Sequence, residues 1–207
     1  MKKLFVAAFS IFTSYTISAQ TNLGIKAGYN YSTAKVISNG VDQKTGYISG
    51  YGAAIMLKTW FDGVLHFSPY IAYNRRGYTY NPEGTAIKQI ENTIHYIDVV
   101  PVLSFDFPVK PQQTFIVGFG PVVGFAITGK EKTTGLNGTV TTKNMAFGFG
   151  DYGRYDAGLT ANTGYRINKY LIEISYLYSL TDMENNEDIP RDIRSRMFNL
   201  SLGFYFR

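Results

Sequence analysis

The sequence predicts an all-β protein, an eight-stranded antiparallel up-and-down β-barrel that crosses a membrane. Three observations lead to this prediction. Large and small residues alternate with a period of two along most of the chain after the N-terminus. The connections between the alternating segments are alternately long and short. One face of every segment is free of charged residues, although 17% of the chain is charged.

The composition supports a single domain that is neither helical and membrane-spanning nor disordered. The chain has 207 residues, with 17 Tyr, 15 Phe and 21 Gly, and its mean hydropathy is −0.09. A helical membrane protein is far more apolar, and an aromatic content this high excludes intrinsic disorder. The absence of cysteine excludes a disulfide scaffold and a thiolate metal site.

Eight segments of the chain show the period-two alternation. No helical pattern interrupts them, so consecutive segments are expected to pair as antiparallel neighbours. The predicted strands lie near residues 22–32, 48–58, 64–75, 94–105, 114–129, 153–166, 170–180 and 196–207.

The fifth segment, TFIVGFGPVVGFAIT (114–128), shows why these segments are strands rather than helices. It is too short to span a bilayer as a helix and contains three glycines and Pro121. Its odd-numbered residues are large and apolar, from Phe115 to Ile127, whereas its even-numbered residues are mostly small. The segment is therefore predicted to form a strand with large apolar side chains on one face and mostly small side chains on the other.

The connections distinguish a membrane barrel from a soluble sandwich. Short turns follow the second, fourth and sixth strands, whereas long polar loops follow the others. Outer-membrane barrels have short periplasmic turns and longer external loops, and an even strand number leaves both termini in the periplasm. The external loops are predicted at residues 33–46, 76–93, 130–151 and 181–195.

The two faces of the strands indicate which side meets lipid. Across the eight strands, 42 positions share the outward parity, and none carries a charge. A charged side chain on the lipid face costs about 2–4 kcal/mol near the bilayer midplane, so this face is predicted to meet lipid. Pro69, Pro101 and Pro121 lie on it and are expected at bulges or near an interface, since proline cannot donate to a sheet.

The charged residues of the strands have the opposite parity and are predicted to line the lumen. We expect a polar network of ion pairs that fills the interior of a small barrel, because eight strands leave room only for side chains. The less favoured alternative is acid–base catalysis by inward carboxylates. Arg207 has the same parity, and the predicted network comprises Lys26, Lys58, Asp98, Arg154, Asp156, Arg166 and Glu173.

The N-terminus has the features of a secretory signal peptide. Lys2 and Lys3 precede an apolar stretch, and small residues end at Ala19. Cleavage there divides the chain into a signal peptide (1–19) and a barrel domain (20–207). Removal of the two lysines lowers the net charge from +5 to +3, which does not indicate a nucleic-acid partner.

Other motifs do not indicate a cofactor, a metal ion or a catalytic site. GFGDYG (148–153) fits G-x-G-x-x-G but has no preceding strand and following helix. The acidic run 182–188 has neither the spacing nor the glycine of a calcium-binding loop. His66 and His95 are far apart in sequence, and no other His or Cys residues accompany them as metal ligands. We therefore expect a non-enzymatic protein without cofactor or metal.

Several pieces of the chain resemble the PorT-like outer-membrane β-barrel proteins of Bacteroidetes. They occur in the family order over nearly the whole chain after residue 19. The pieces are FSPYIAYNRRG (67–77), HYIDVVP (95–101), GFGPVVG (118–124), YDAG (155–158), YLYSLTD (176–182) and LSLGFYF (200–206).

The resemblance implies an integral barrel in the outer membrane of a Gram-negative bacterium. Tyr70 stands where the family often has Glu, which leaves Asp98 and Asp156 as the supported lumen carboxylates. One type of family member acts in export through the type IX secretion system. By this resemblance the chain is an outer-membrane protein that is accessory to secretion or envelope assembly.

Two other functions remain open from the sequence. The first is a small-solute pore, whose lumen of five predicted cations and three carboxylates favours anions. The second is a soluble periplasmic barrel that binds lipid in an apolar interior, which the uncharged outward face disfavours. The partners expected for the favoured function are outer-membrane lipid and proteins that contact the external loops.

Overall fold

The fold was examined in a computed structural model, which describes residues 21–38, 40–82, 85–148, 152–184 and 191–206. The predicted signal peptide lies outside these residues. In the part of the chain that the structure describes, no helix is long and apolar enough to cross a membrane.

The described residues form thirteen β-strands, several of which are consecutive pieces of one longer strand. The strands are β1 (Thr21–Ser38), β2 (Val41–Gln43), β3 (Thr45–Gly46), β4 (Ile48–Asp62), β5 (Leu65–Phe67), β6 (Tyr70–Tyr80), β7 (Ile87–Val100), β8 (Leu103–Lys110), β9 (Gln113–Gly135), β10 (Val140–Asn144), β11 (Tyr155–Ile167), β12 (Tyr170–Ser179) and β13 (Arg191–Tyr205).

The strands close into a ring of eight. Every pairing in the wall is antiparallel, and the strands follow one another around the ring in chain order. β5 and β6 act as one wall strand, as do β7 and β8. β13 pairs with β1, from Gly24 opposite Tyr205 to Ser38 opposite Arg191, and this pairing closes the barrel. The predicted eight-stranded antiparallel up-and-down barrel is confirmed.

The three turns at the periplasmic end are tight. Each places two residues between paired strands, at 63–64, 111–112 and 168–169. One residue in each has positive φ, namely Gly63, Gln112 and Asn168. Positive φ at a turn position matches the right-handed twist of the flanking strands. The first two hairpins have an irregularity in register beside the turn, at Trp60–Asp62 and at Pro108–Lys110.

The external ends of the strands extend much further than predicted. β1, β6, β7, β9 and β13 continue well into the segments assigned as loops, and β2, β3 and β10 add short strands to this extension. The predicted loop bounds were therefore wrong. The predicted strands end where the outward residues become polar, although the alternation of inward and outward side chains continues beyond that point.

Pro69, Pro101 and Pro121 lie at one level on three neighbouring wall strands. Pro69 lies in the gap between β5 and β6, and Pro101 lies in the gap between β7 and β8. Pro69 and Pro101 are therefore accommodated at strand breaks, whereas the sequence led us to expect bulges or positions near an interface. The backbone of β9 comes close to Pro101 at this level. Gly120 permits this approach, because an added Cβ there would lie 2.2 Å from the Pro101 carbonyl oxygen.

Pro121 lies within β9 and faces the break at Pro101. Ala126 donates its N–H to the Arg154 carbonyl on the β11 side, at 2.8 Å. Successive residues of a strand direct their N–H groups to opposite sides, so Pro121 directs its nitrogen away from β11. On that side the pairing of β9 is interrupted, and the missing donor of the proline therefore costs no interstrand hydrogen bond.

The two faces of the wall are assigned as predicted. None of the 42 outward positions is buried, and exposed Leu, Ile, Val, Phe and Tyr cover this face. Tyrosines cluster at the external edge of the apolar band, where Tyr31 stacks on Tyr47 with ring centroids 4.5 Å apart. Apolar strands flanked by aromatic residues are the arrangement expected of a barrel wall in a bilayer.

Candidate functional site

Charged side chains fill the lumen at the level of the apolar band. They form three centres that follow one another along the barrel axis, each with at least one nearly fully buried ion pair. In order from the external to the periplasmic side, these are the Arg76 centre, the Lys26 centre and the Lys58 centre.

The Arg76 centre joins two carboxylates through one guanidinium. Arg76 Nη2 lies 3.1 Å from Asp98 Oδ1 and 3.0 Å from Asp156 Oδ2. The guanidinium stacks 3.8 Å from the ring centroid of Tyr96. Arg76 is 1% exposed, and both carboxylates are also buried. One cation thus bridges β6, β7 and β11 over the intervening strand β9, where Gly124 lies opposite both carboxylates.

The Lys26 centre pairs one ammonium with one carboxylate. Lys26 Nζ lies 2.6 Å from Glu173 Oε1 and 3.8 Å from the ring centroid of Tyr70. Asn162 donates to the second carboxylate oxygen of Glu173, at 2.7 Å. Tyr70 therefore contacts the cation through its ring.

The Lys58 centre lies nearest the periplasmic turns. Lys58 Nζ is 2.6 Å from both carboxylate oxygens of Asp106. His66 Nδ1 and Arg166 Nη2 each lie 3.8 Å from the same carboxylate. Lys58 is 2% exposed and Asp106 is 4% exposed, so the pair is shielded from bulk water.

Three amide side chains extend the Arg76 centre across the barrel. Asn74 donates to Asp98, Asn30 donates to Asn74, and Asn199 donates to Asn30, with distances of 2.7, 3.0 and 2.7 Å. The Asn30–Asn74 bond passes over β4 at Gly52, where an added Cβ would lie 2.2 Å from the Asn74 oxygen. The small inward residues thus leave space for the polar network.

The structure brings together six of the seven residues predicted for the lumen network. Arg154 is the exception, and its predicted position was wrong. Its side chain is exposed, donates to the Phe147 carbonyl at 3.3 Å, and lies 5.7 Å from the ring centroid of Phe125. Arg154 precedes β11, so its side chain is not held to the inward parity of that strand. Arg207 lies outside the described residues.

Arg76 and Asp106 were missed because the sequence assigned them to connections. Arg76 continues the inward parity of Tyr70, Ala72 and Asn74, and Asp106 continues that of Asp98. Extending the period-two test into the polar ends of these strands identifies both residues.

The lumen network is electrically balanced and leaves little open space. It contains four cations and four carboxylates, so the predicted excess of positive charge was wrong for the described residues. Two internal cavities beside Lys26 and Tyr70 measure about 30 and 20 Å³. At about 10–15 Å³ for each water, these volumes hold one or two water molecules apiece.

Above the ionic centres, the interior becomes apolar. A cluster of buried residues fills the external half of the barrel, and Phe147 and Tyr152 pack against it. Met145 and Met183 come from the segments that connect the strands and lie 7% and 3% exposed. The cluster consists of Ala34, Val36, Tyr78, Tyr80, Ile90, Ile94, Tyr96, Ala126, Met145, Met183 and Ile193.

Ionic and phenolic groups close the external edge of this cluster. Arg191 pairs with Glu184 and donates to the Tyr80 hydroxyl at 3.1 Å. The Tyr152 hydroxyl donates to Glu131 at 3.2 Å, and burial raises the pKa of Tyr152 well above its ordinary value. The connecting segments therefore fold onto the barrel opening and cover it.

A hairpin of β9 and β10 lies at the external rim, beside the end of β7. β9 and β10 pair from Lys130 opposite Asn144 to Thr134 opposite Val140. The turn is ordered by hydrogen bonds from the Gly135 N–H to the Thr139 carbonyl and from the Leu136 N–H to the Ala86 carbonyl. Leu136 is 70% exposed, which places an apolar side chain at the tip of the hairpin.

The remaining candidate motifs have structural roles where they are described. Asp182 accepts hydrogen bonds from the N–H groups of Glu184 and Ile193, both at 2.8 Å. Glu187, Asp188 and the centre of GFGDYG lie outside the described residues. His66 and His95 lie apart, and no group of three or more potential metal ligands occurs in the described ranges.

The family model for the "Outer membrane protein beta-barrel domain" matches residues 18–185. The chain belongs to this outer-membrane β-barrel family. It is accordingly an integral protein of the outer membrane of a Gram-negative bacterium, with lipid around its apolar band. The narrower resemblance to PorT-like proteins and the signal peptide stay predictions.

Solved outer-membrane barrels are similar in structure to this family member. The attachment invasion locus protein Ail of Yersinia pestis is 18% identical, with 90% of this chain and 99% of that chain covered and a TM-score of 0.44. OprG of Pseudomonas aeruginosa is 11% identical, with coverages of 90% and 96% and a TM-score of 0.49. Comparison with curated protein sequences gave no match.

Proposed function

We propose that this barrel is a non-enzymatic, non-conducting scaffold that presents its external extension to protein partners in secretion or envelope assembly. The observation that carries the proposal is the filled interior. Three ion-paired centres occupy the membrane level, and the apolar cluster occupies the external half. Functional contacts therefore belong to the outer surface of the barrel.

The pore alternative requires a continuous aqueous path. Water-filled channels occur in barrels of 16–18 strands, whereas an eight-stranded interior is only wide enough for side chains. The charge balance of the lumen network also removes the argument for anion selectivity. The periplasmic lipid-binding alternative requires an apolar interior beneath a polar wall, and the membrane-level wall has the reverse arrangement.

The candidate partner surface is the β9–β10 hairpin. It lies at the external rim, carries Leu136 and Val140 exposed by 70% and 54%, and is held in place by the pairing of β9 with β7. Exposed apolar side chains close together on an ordered hairpin fit a protein contact. The type IX secretion link comes from the PorT-like resemblance and defines the pathway to be tested first.

Reconstitution in planar bilayers tests the scaffold. We expect the purified barrel to give no steady conductance, while a known porin in the same bilayers conducts. Stable unitary currents from the wild-type barrel would support the pore and contradict the scaffold.

A complementation experiment tests the hairpin. In a strain lacking this protein, we expect wild type to restore secretion of type IX cargo and a variant with residues 134–140 replaced by two glycines not to restore it. Heat-dependent mobility on SDS gels confirms that the shortened barrel is folded. Full restoration by the shortened barrel would show that the hairpin is not the partner surface.

A further inference from the structure

A basic groove lies on the outer wall of the barrel, across β6, β7 and β9. Its volume is about 320 Å³. The side chains that carry the argument are Arg75, Glu91, Thr93, His95, Lys130 and Lys132. Three permanent cations and one carboxylate line the groove. The groove therefore has a net positive charge, whereas the lumen network is neutral.

The groove lies directly above the apolar band. On β6, Arg75 follows the outward residues Ile71 and Tyr73, and on β7, His95 and Thr93 follow Ile97. On β9, the apolar outward run ends at Ile127, and Lys130 and Lys132 follow. This change from apolar to polar side chains marks the level of the lipid headgroups.

Two of the cations are free to bind a ligand. In the described ranges, neither Lys130 nor Lys132 forms an ion pair or a side-chain hydrogen bond, whereas nearby Lys143 pairs with Glu131 at 3.2 Å. Arg75 donates from Nη1 to the Ser49 carbonyl at 2.9 Å, and this bond fixes the guanidinium at the groove while leaving its other donors available.

A second, apolar groove lies beside the basic one and nearer the periplasm, on the lipid-facing wall. It measures about 680 Å³ and runs across β13, β1, β4 and β6. The small side chains of Ala27 and Ala53, which face each other in the register of β1 and β4, form its floor. Tyr73 bounds it, and the Tyr73 hydroxyl contacts His95 of the basic groove.

We propose that the two grooves together bind a phosphorylated lipid of the outer leaflet. Its headgroup phosphate contacts Arg75, Lys130 and Lys132, and an acyl chain lies against Ala27 and Ala53. Charge-assisted hydrogen bonds from Arg and Lys are the strong donors for phosphate, and basic pockets at a membrane surface bind anionic lipid headgroups. This site is separate from the proposed contact at the hairpin tip.

Native mass spectrometry of the full barrel in detergent tests the proposal. The probes are bisphosphorylated lipid A, the same lipid with its phosphates removed, and inorganic phosphate. The test variant is R75Q/K130Q/K132Q. The control is K44Q/K110Q/K169Q, which removes equal charge away from the groove, and A27F/A53F fills the apolar groove.

We expect wild type and control to bind lipid A alike, and the test variant to bind it about tenfold or more weakly. Removing the lipid phosphates should weaken wild-type binding to a similar degree, and A27F/A53F should also bind less lipid A. Unchanged lipid A binding by the folded test variant would overturn the proposal. Displacement of lipid A by equimolar inorganic phosphate would also overturn it, because the site would then recognise a free anion.

Discussion

The interior of this barrel changes character between its two halves. At the membrane level, buried ion pairs share the lumen with two small apolar clusters, and the wall outside is apolar. In the external half, buried Tyr, Ile, Val and Met fill the lumen. A single strand shows both arrangements: on β6, Ile71 faces outward with Arg76 inside, and further along Tyr80 faces inward.

The difference follows from the solvent that surrounds each half. The external half stands in water, so burial of apolar side chains in its interior supplies its stability, as in a soluble barrel. The membrane-level wall is surrounded by hydrocarbon, which is as apolar as a protein core, so apolar side chains gain little by moving inward. Ion pairs and hydrogen bonds between inward side chains therefore contribute more to that half, where two small apolar clusters are also buried.

The largest expected effect comes from breaking the Arg76 centre. Arg76→Met leaves Asp98 and Asp156 buried without their cation, and removal of one partner of a buried pair costs about 3–5 kcal/mol. The free energy of unfolding in urea, followed by fluorescence of the single tryptophan, Trp60, measures this loss.

The triple variant R76M/D98N/D156N is the matched control for this prediction. It removes the uncompensated charges as well as the cation, so we expect it to recover most of the lost stability. If Arg76→Met alone unfolds at the wild-type urea concentration, the ionic centre does not stabilise the membrane-level half.

A smaller effect is expected from a cavity in the external half. Ile193 is fully buried in the apolar cluster, and Ile193→Ala should cost about 2–4 kcal/mol through lost burial and the cavity that remains. The control is Ile174→Ala on the lipid face, where Ile174 is 54% exposed and lipid fills the vacated space. Limited proteolysis of the external segments, together with urea unfolding, separates the two halves. Equal losses from both variants would contradict the distinction between a water-facing and a lipid-facing half.

The sequence predicted the features that depend on local alternation. The lipid face and inward residues such as Lys26, Lys58 and Glu173 follow from parity alone. The limit of the method appears at the strand ends, where it assigned Arg76 to a loop and Arg154 to the lumen. Outward residues become polar above the bilayer, so the contrast between the faces reverses there and no longer marks a strand.

Contacts between distant strands were not accessible from the sequence. The alignment of Pro69, Pro101 and Pro121 depends on the register of three wall strands, which no single segment specifies. The pairing of Arg76 with both Asp98 and Asp156 likewise depends on strand register, since β7 and β11 lie on either side of β9 and both carboxylates are opposite Gly124. Local patterns thus identify the charged residues, and the barrel geometry determines their partners.

Arg154→Gln should have the smallest effect on the free energy of unfolding. It tests whether a cation stabilises the barrel by its sequence parity alone or only when its side chain reaches the lumen. Arg154 shares the sequence parity of Asp156, yet it is exposed and donates to the Phe147 carbonyl. Surface substitutions of this kind change stability by about 0.5 kcal/mol or less, so the urea midpoint should stay near that of wild type. A loss as large as that of Arg76→Met would mean that Arg154 enters the lumen in the membrane. A near-neutral Arg154→Gln together with a large loss for Arg76→Met would show that stability depends on the cation that contacts Asp98 and Asp156. The number of cations with inward sequence parity would then not determine stability.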